Sequence, residues 1–146
     1  MAIDFDVQER VATVTINRPE ALNAMNPAMY SRLSECWIEI RDNPDIWAAV
    51  ITGAPQPNRP PERQIFSAGA DLKSAFKPRE TYEFWQTQAD QLLNRGLEVW
   101  KPVVAAVNGL CLAGGMTLLL ATDIRVASEH AAFDLSEVKR GILPGN

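Results

Sequence analysis

Two uninterrupted apolar runs constrain the fold of this chain more than any other feature. Residues 47–52 and 103–107 are almost entirely apolar, and the runs stop at Gly53 and at Asn108-Gly109. Apolar residues that do not alternate with polar ones are typical of strands covered on both faces, as in parallel sheets. The runs therefore predict an α/β fold, in which helices cover a largely parallel sheet.

Periodicity predicts the other elements. Residues 3–7 and 11–16 alternate between apolar and polar side chains, which predicts a hairpin. Asn26 suits an N-cap and Pro27 the first helical position, and apolar residues then recur at helical spacing up to about Arg41. Further patterns predict one or two helices within 78–100, a helix over 115–121, a strand over 124–127, and an exposed, stiff, proline-rich loop over 54–64. The strand–strand–helix order near the start is compatible with a spiral of such units.

Composition excludes several classes of function. The 146 residues fit one domain, 1–146. The net charge of -4 gives no sign of the positively charged surface that binds nucleic acid or an anionic membrane. The apolar stretches are far shorter than the roughly 20 residues that cross a bilayer. No secretory signal opens the sequence, and Cys36 and Cys111 lie in apolar surroundings without metal-like spacing. We expect reduced, buried thiols, a cytoplasmic protein and no metal site.

Two loops of small residues are the strongest candidates for a binding site. Residues 66–72 follow a predicted strand, and residues 112–115 lie between a strand and a helix. Small residues let a ligand approach backbone amides closely. If the loops converge, the amides of Ala68 and Gly114 could hold a thioester oxygen as it becomes an enolate, where one lost donor costs on the order of 3 kcal/mol. Either loop taken alone is better explained as a simple tight turn.

Among the carboxylates, Glu137 is the best candidate for an acid/base group. It lies among apolar residues, where the pKa of a carboxyl group can rise toward neutrality. The same residues also suit a helix start with an acidic first turn. Ser67 lacks the G-x-S-x-G elbow and His130 lies in a polar turn, so a serine-hydrolase triad has little support. No nucleotide-binding glycine motif or metal motif occurs.

Four ordered blocks, residues 14–24, 66–72, 101–109 and 113–127, resemble the enoyl-CoA hydratase/isomerase (crotonase) family. The resemblance runs over nearly the whole chain. It implies a spiral of strand–strand–helix units, a coenzyme A thioester substrate, no separate cofactor, and a homotrimer or hexamer in the full-length protein.

Carried over residue by residue, the resemblance implies that the amides of Ala68 and Gly114 form the oxyanion hole. Glu137 falls on the second of the two catalytic glutamates of hydratases, whereas the first falls on Thr117, which is not a carboxylate. The positions that match the coenzyme A-binding segments are Ala21, Ala24, Ala68, Gly69, Ala70, Asp71, Leu72 and Gly114.

One glutamate instead of two bears on the expected reaction. Hydration is helped by two carboxylates, whereas one acid/base group suffices to move a proton between two carbons of an enolate. The resemblance therefore implies enoyl-CoA hydration or double-bond isomerisation. Another enolate reaction, such as decarboxylation or thioester hydrolysis, and a non-catalytic acyl-CoA-binding homologue remain alternatives.

Two further departures from the family concern the rim of the site and the end of the chain. The proline-rich segment 54–64 is longer than the usual link before the oxyanion-hole loop. Family members also continue beyond the position of Asn146 through strands and carboxy-terminal helices that close the acyl pocket. We therefore expect the domain to be incomplete at its carboxy-terminal side.

Overall fold

The computed structural model describes residues 2–74, 93 and 97–141, and within these residues eight strands form two sheets. The larger sheet has the order β1-β2-β3-β5-β7 and the smaller one the order β4-β6-β8. Their bounds are β1 Ile3–Gln8, β2 Val11–Ile16, β3 Ala48–Gly53, β4 Ile65–Ser67, β5 Val103–Val107, β6 Leu110–Leu112, β7 Ile124–Ala127 and β8 Phe133–Asp134. Every neighbouring pair is parallel except β1 and β2, so the predicted α/β class is confirmed.

The predicted hairpin is formed by β1 and β2. Gln8 lies opposite Val11, so Glu9 and Arg10 form a two-residue turn. Their φ angles are 47° and 69°, as the type I′ turn of a tight hairpin requires. Because β2 also pairs with β3 in parallel, the hairpin is joined edge-on to the parallel part of the sheet.

Helix α1 spans Pro27–Asp42 and confirms the predicted amphipathic helix. The Asn26 side chain accepts a hydrogen bond from the Met29 amide at 3.0 Å, which satisfies one of the amides that a helix start leaves unpaired. At the other end, the Lys101 ammonium donates to the carbonyls of Ile40 and Asn43 at 2.7 and 2.6 Å. Both ends of α1 are therefore fixed by side chains.

The core lies between α1 and one face of the larger sheet. It contains alternate residues of β2, β3 and β5 and the apolar stripe of α1, comprising Ala12, Val14, Ile16, Ala49, Ile51, Val103, Ala105, Val107, Met29, Leu33, Cys36, Trp37 and Ile40. The intervening residues of β3 and β5, such as Val50 and Val104, are only partly buried. In the described part of the chain, the prediction of full burial therefore holds for the face that packs against α1, whereas the other face is only partly buried.

The proline-rich loop is exposed as predicted, but two buried amide side chains fix its base. Asn23 is 0% exposed and Gln56 is 4% exposed. Both donate to the carbonyl of Ala54, at 2.9 and 2.8 Å, and both donate to the carbonyl of Ile65, at 3.0 and 2.9 Å. Gln56 also accepts from the Ile65 amide at 2.7 Å. The loop therefore returns the chain to β4 in a defined position.

The remaining predicted elements are confirmed where the structure describes them. Helix α2 spans Gly114–Leu120, within one residue of the predicted helix at each end, and β7 coincides with the predicted strand over 124–127. The helices predicted within 78–100 lie largely outside the described residues. Neither helix in the described part of the chain is long and apolar enough to cross a membrane.

Candidate active site

Three loops meet at one edge of the smaller sheet. Its strands are parallel, with β6 between β4 and β8, so the segments that follow them leave in the same direction. These segments are 68–72 after β4, 113–115 after β6 and 135–137 after β8. The carboxyl ends of parallel strands are where α/β proteins commonly bind ligands. The strand order thus brings the two small-residue loops and Glu137 to the same edge.

The two small-residue loops are in direct contact. Gly69 has a φ of 85°, and a Cβ at this position would lie 2.8 Å from the Gly114 amide nitrogen and 2.9 Å from the Leu112 carbonyl oxygen. Glycine is therefore required both by the backbone conformation and by the closeness of the second loop. The convergence on which the predicted site depended is present.

Hydrogen bonds to residues 22–25 determine which amides of the first loop can reach a ligand. The Ala68 amide donates to the Leu22 carbonyl at 3.1 Å, and the Asp71 amide donates to the Met25 carbonyl at 2.9 Å. The Gly69 amide donates to the Ser67 hydroxyl at 3.1 Å. Among the described residues, the Ala70 amide has no hydrogen-bond partner.

This pattern favours the Ala70 amide over the Ala68 amide, predicted from the sequence, as a donor to a ligand. The Ala68 amide cannot donate to a ligand while it is bonded to Leu22, whereas the Ala70 amide can. A Cβ placed on Gly114 would lie 3.4 Å from the Ala70 nitrogen. Because Gly114 begins α2, its own amide is one of those without an intrahelical partner. Neither the Ala70 nor the Gly114 amide has a partner within the described part of the chain, and the two lie side by side.

The backbone is strained immediately before Gly114. Ala113 has φ 47° and ψ -120°, a combination that L-residues rarely adopt and that costs of order 1–3 kcal/mol. Its amide donates to the Asp134 carbonyl at 3.0 Å, which helps to hold this conformation. The strained residue turns the chain from β6 into α2 and so sets the position of the Gly114 amide.

Glu137 lies in the 3-10 turn Ser136–Arg140, which begins soon after β8. Its side chain is buried, with 9% exposed, and its Oε2 atom has no hydrogen-bond partner among the described residues. The turn is held by the Lys139 ammonium, which donates to the Asp134 carboxylate at 2.6 Å. Both interpretations of the sequence therefore apply to Glu137, because it is an acidic residue in a first helical turn and also a buried carboxylate.

Tyr30 lies beside Gly114 and is influenced electrostatically by Glu137, although no motif in the sequence marks it as a site residue. Its hydroxyl oxygen would lie 2.8 Å from a Cβ on Gly114. Burial, and after it the Glu137 carboxylate, raise the pKa of Tyr30 to about 12. The tyrosine adjoins Met29 at the margin of the apolar stripe of α1, so the periodic pattern alone marks it as a packing residue.

The predicted coenzyme A-binding segments come together around Arg18. Its guanidinium donates to the Asp71 carboxylate at 2.6 Å and to the Ala24 carbonyl at 3.2 Å. The two segments are therefore adjacent. Ala21, Ala24 and Ala70 are partly exposed and the Leu72 side chain is 65% exposed, whereas the Asp71 carboxylate is occupied by Arg18.

The serine-hydrolase alternative finds no support in the geometry. Ser67 is 0% exposed, and its hydroxyl donates to the Asn23 carbonyl at 2.9 Å. His130 lies 3.5 Å from the exposed Glu129 carboxylate. Within the described residues, no three histidine, cysteine, aspartate or glutamate side chains form a potential metal site.

A sequence model of the enoyl-CoA hydratase/isomerase family matches residues 6–146. The chain belongs to this family. It is 38% identical over 145 residues to an (E)-benzylidenesuccinyl-CoA hydratase of Thauera aromatica, covering 99% of this chain and 54% of the relative. It is 38% identical over 143 residues to a short-chain-enoyl-CoA hydratase of Clostridium acetobutylicum, and this match covers 97% of this chain and 52% of the relative. The chain therefore spans about half the length of the curated family members it matches.

Similar solved structures confirm the crotonase-type fold. An enoyl-CoA hydratase/isomerase from Mycobacterium paratuberculosis superposes with a TM-score of 0.78 at 34% identity, covering 99% of this chain and 52% of that structure. DspI from Pseudomonas aeruginosa gives a TM-score of 0.80 at 28% identity, and the match covers 99% of this chain and 56% of that structure. The trimer or hexamer implied by the family resemblance stays a prediction.

Proposed function

We propose that this chain carries the oxyanion hole and the acid/base group of an enzyme that hydrates a 2-enoyl-CoA thioester. The observation that carries the proposal is the pair of adjacent amides at Ala70 and Gly114, which have no partner among the residues that the structure describes. The Glu137 carboxylate is buried on the third loop of the same edge. Relatives that are named hydratases favour hydration over other reactions of thioester enolates.

The amides would act on the charge that develops during the reaction. When water attacks the β-carbon, the electron pair of the double bond moves toward the thioester oxygen and forms an enolate. Two amides directed at that oxygen stabilise the enolate more than the uncharged substrate, which lowers the barrier. In this proposal Ala70 takes the role that the sequence assigned to Ala68, because the Ala68 amide is bonded to Leu22.

Glu137 would move the proton. Its carboxylate accepts a proton from the attacking water, whose oxygen bonds to the β-carbon, and then delivers a proton to the α-carbon as the enolate collapses. One carboxylate can perform both proton transfers in sequence, so the reaction needs no second acid/base group. Thr117, three residues after Gly114 on α2, can hydrogen-bond water but cannot serve as the base.

The test uses the enzyme expressed from its full coding sequence. Hydration removes the conjugated-enoyl absorbance of a 2-enoyl-CoA, and we expect Glu137→Gln to lower kcat by about 10²–10⁴-fold, the usual contribution of a positioned acid/base group. Glu129→Gln is the matched control, because the Glu129 side chain is 87% exposed and should leave the rate unchanged. Equal rates for Glu137→Gln and the wild type would contradict the assigned role.

Double-bond isomerisation is the second candidate, and the threonine at position 117 favours it. An isomerase would increase the conjugated-enoyl absorbance of a 3-enoyl-CoA and leave a 2-enoyl-CoA unchanged. A protein that binds acyl-CoA but changes neither substrate would be a non-catalytic homologue. The same assay therefore separates the three possibilities.

A further inference from the structure

The hydroxyl of Tyr30 and the amide of Ala70 lie around one small space beside Gly114. A Cβ on Gly114 would be 2.8 Å from the Tyr30 oxygen and 3.4 Å from the Ala70 nitrogen. Both atoms therefore lie within 3.4 Å of a point that only the lack of a side chain at Gly114 leaves open. This is the space next to the two amides that would receive the thioester oxygen.

The position of the hydroxyl is tied to the oxyanion-hole loop. Tyr30 lies in the first turn of α1, which is capped by Asn26. Immediately before the cap, the Met25 amide donates to the Gly69 carbonyl at 2.8 Å, and the Met25 carbonyl accepts from the Asp71 amide at 2.9 Å. The start of α1 and the loop that carries the Ala70 amide are therefore held together on both sides of Ala70.

The environment also keeps the phenol protonated. Burial and the Glu137 carboxylate raise the pKa of Tyr30 to about 12, so the hydroxyl remains a hydrogen-bond donor at any physiological pH. A neutral phenol cannot remove a proton from water under these conditions, but it can donate to an oxygen that becomes negative. A steroid isomerase that forms an enolate uses a tyrosine hydroxyl in this way.

We propose that Tyr30 is a catalytic residue of this site, whose hydroxyl donates a third hydrogen bond to the thioester oxygen alongside the amides of Ala70 and Gly114. The inference rests on the proposed function, because it places the enolate oxygen between those amides. It adds a side-chain donor that the positions carried over from the family do not include.

The decisive variant is Tyr30→Phe, which keeps the ring and removes only the hydroxyl. Because the donor acts on charge that develops in the transition state, kcat for a 2-enoyl-CoA falls by about 100-fold or more, whereas KM changes little. Ser31→Ala is the matched control, since it removes a hydroxyl from the next residue of α1, where Ser31 donates to the Pro27 carbonyl at the exposed surface. Thermal unfolding of both variants reports whether α1 is intact.

Two further readouts distinguish the role of the hydroxyl. If it holds the thioester oxygen and the wild type also isomerises a 3-enoyl-CoA, a reaction that needs no water, that activity falls by a similar factor in Tyr30→Phe. Acetoacetyl-CoA, whose acyl chain forms a stable enolate, then binds Tyr30→Phe at least about 10-fold more weakly, whereas saturated butyryl-CoA binds both proteins equally. The enolate-binding comparison does not depend on turnover.

Three results would overturn the proposal. Unchanged kcat in Tyr30→Phe refutes any catalytic role for the hydroxyl. A loss confined to hydration, with unchanged enolate binding, assigns the hydroxyl to the attacking water instead of the thioester oxygen. A wild-type protein that neither converts an enoyl-CoA nor binds acetoacetyl-CoA refutes the proposed function as well, and that outcome is recognised before any variant is made.

Discussion

Replacing Gly114 with alanine tests the placement of the thioester oxygen most directly. The backbone of Gly114 has no positive φ, so alanine can adopt it, and the new methyl group meets the Tyr30 oxygen at 2.8 Å, the Ala70 nitrogen at 3.4 Å and the Gly69 Cα at 3.6 Å. Only the first contact is shorter than normal. Crowding of this kind costs about 1–3 kcal/mol, which the higher helix propensity of alanine offsets by up to about 1 kcal/mol.

The catalytic effect should be larger than the effect on stability. An oxyanion is held at about 2.7–3.1 Å from its donors, and a methyl group in the space beside both amides competes with it for that position. We expect kcat/KM to fall by about 10²–10³-fold, the loss associated with one missing donor, while the free energy of unfolding falls by no more than about 2 kcal/mol. Enoyl-CoA kinetics and urea unfolding of the same preparations measure the two quantities.

A double-mutant cycle with Tyr30→Phe measures how much of the stability loss in Gly114→Ala comes from the steric contact with the Tyr30 hydroxyl. Removing the hydroxyl removes the 2.8 Å contact, so Gly114→Ala should destabilise the Tyr30→Phe protein less than the wild type, with a coupling free energy of about 0.5–3 kcal/mol. Full activity of Gly114→Ala would refute the assignment of the oxyanion hole. Additive effects on stability would refute the contact between the hydroxyl and this position.

Two further predictions concern the support of the site. The side chains of Asn23 and Gln56 donate to the same two carbonyls, so either Asn23→Ala or Gln56→Ala leaves each carbonyl with one of these two donors. Each variant should lower the free energy of unfolding in urea by about 1–3 kcal/mol, and the double variant should lower it by more than the sum. Strictly additive losses would argue against a shared network. The hydrogen bond from Arg18 is the main cause that holds the pKa of Asp71 below its ordinary value of 3.8. The ionised Asp71 carboxylate therefore stabilises the folded protein fully above pH 3.8, and this stabilisation is lost as the pH falls through the lower pKa of the folded state. The stability of Asp71→Asn at acid pH, measured by acid unfolding, should consequently depend less on pH than that of the wild type.

Most of the fold could be predicted because its signals are local. The cap at Asn26, the apolar stripe of α1 and the alternation in β1 and β2 depend on neighbours a few residues away. The burial of the central strands was less predictable, because a continuous apolar run does not reveal which layers pack on each face. In β3, alternate residues such as Ile51 are fully buried whereas Val50 is only partly so.

The candidate site could be located from the sequence but not resolved to its atoms. The pattern indicated both small-residue loops and Glu137, and the structure brings these segments to one sheet edge. The choice between Ala68 and Ala70 depends on hydrogen bonds to residues 22–25, more than forty positions earlier in the chain, and no local pattern contains them. Tyr30 was missed for a related reason, since its approach to Gly114 arises from tertiary packing.

The arrangement also gives a physical reason why one carboxylate can suffice. An enolate oxygen is stabilised by neutral donors and destabilised by nearby negative charge, and in a buried site this repulsion is weakly screened. The residues around the two amides include a tyrosine that stays protonated and a threonine at position 117, so Glu137 is the carboxylate whose charge reaches Tyr30. Its charge disappears when it accepts a proton from water, at the stage when the enolate forms. The proton transfer and the stabilisation of the oxygen would therefore reinforce one another.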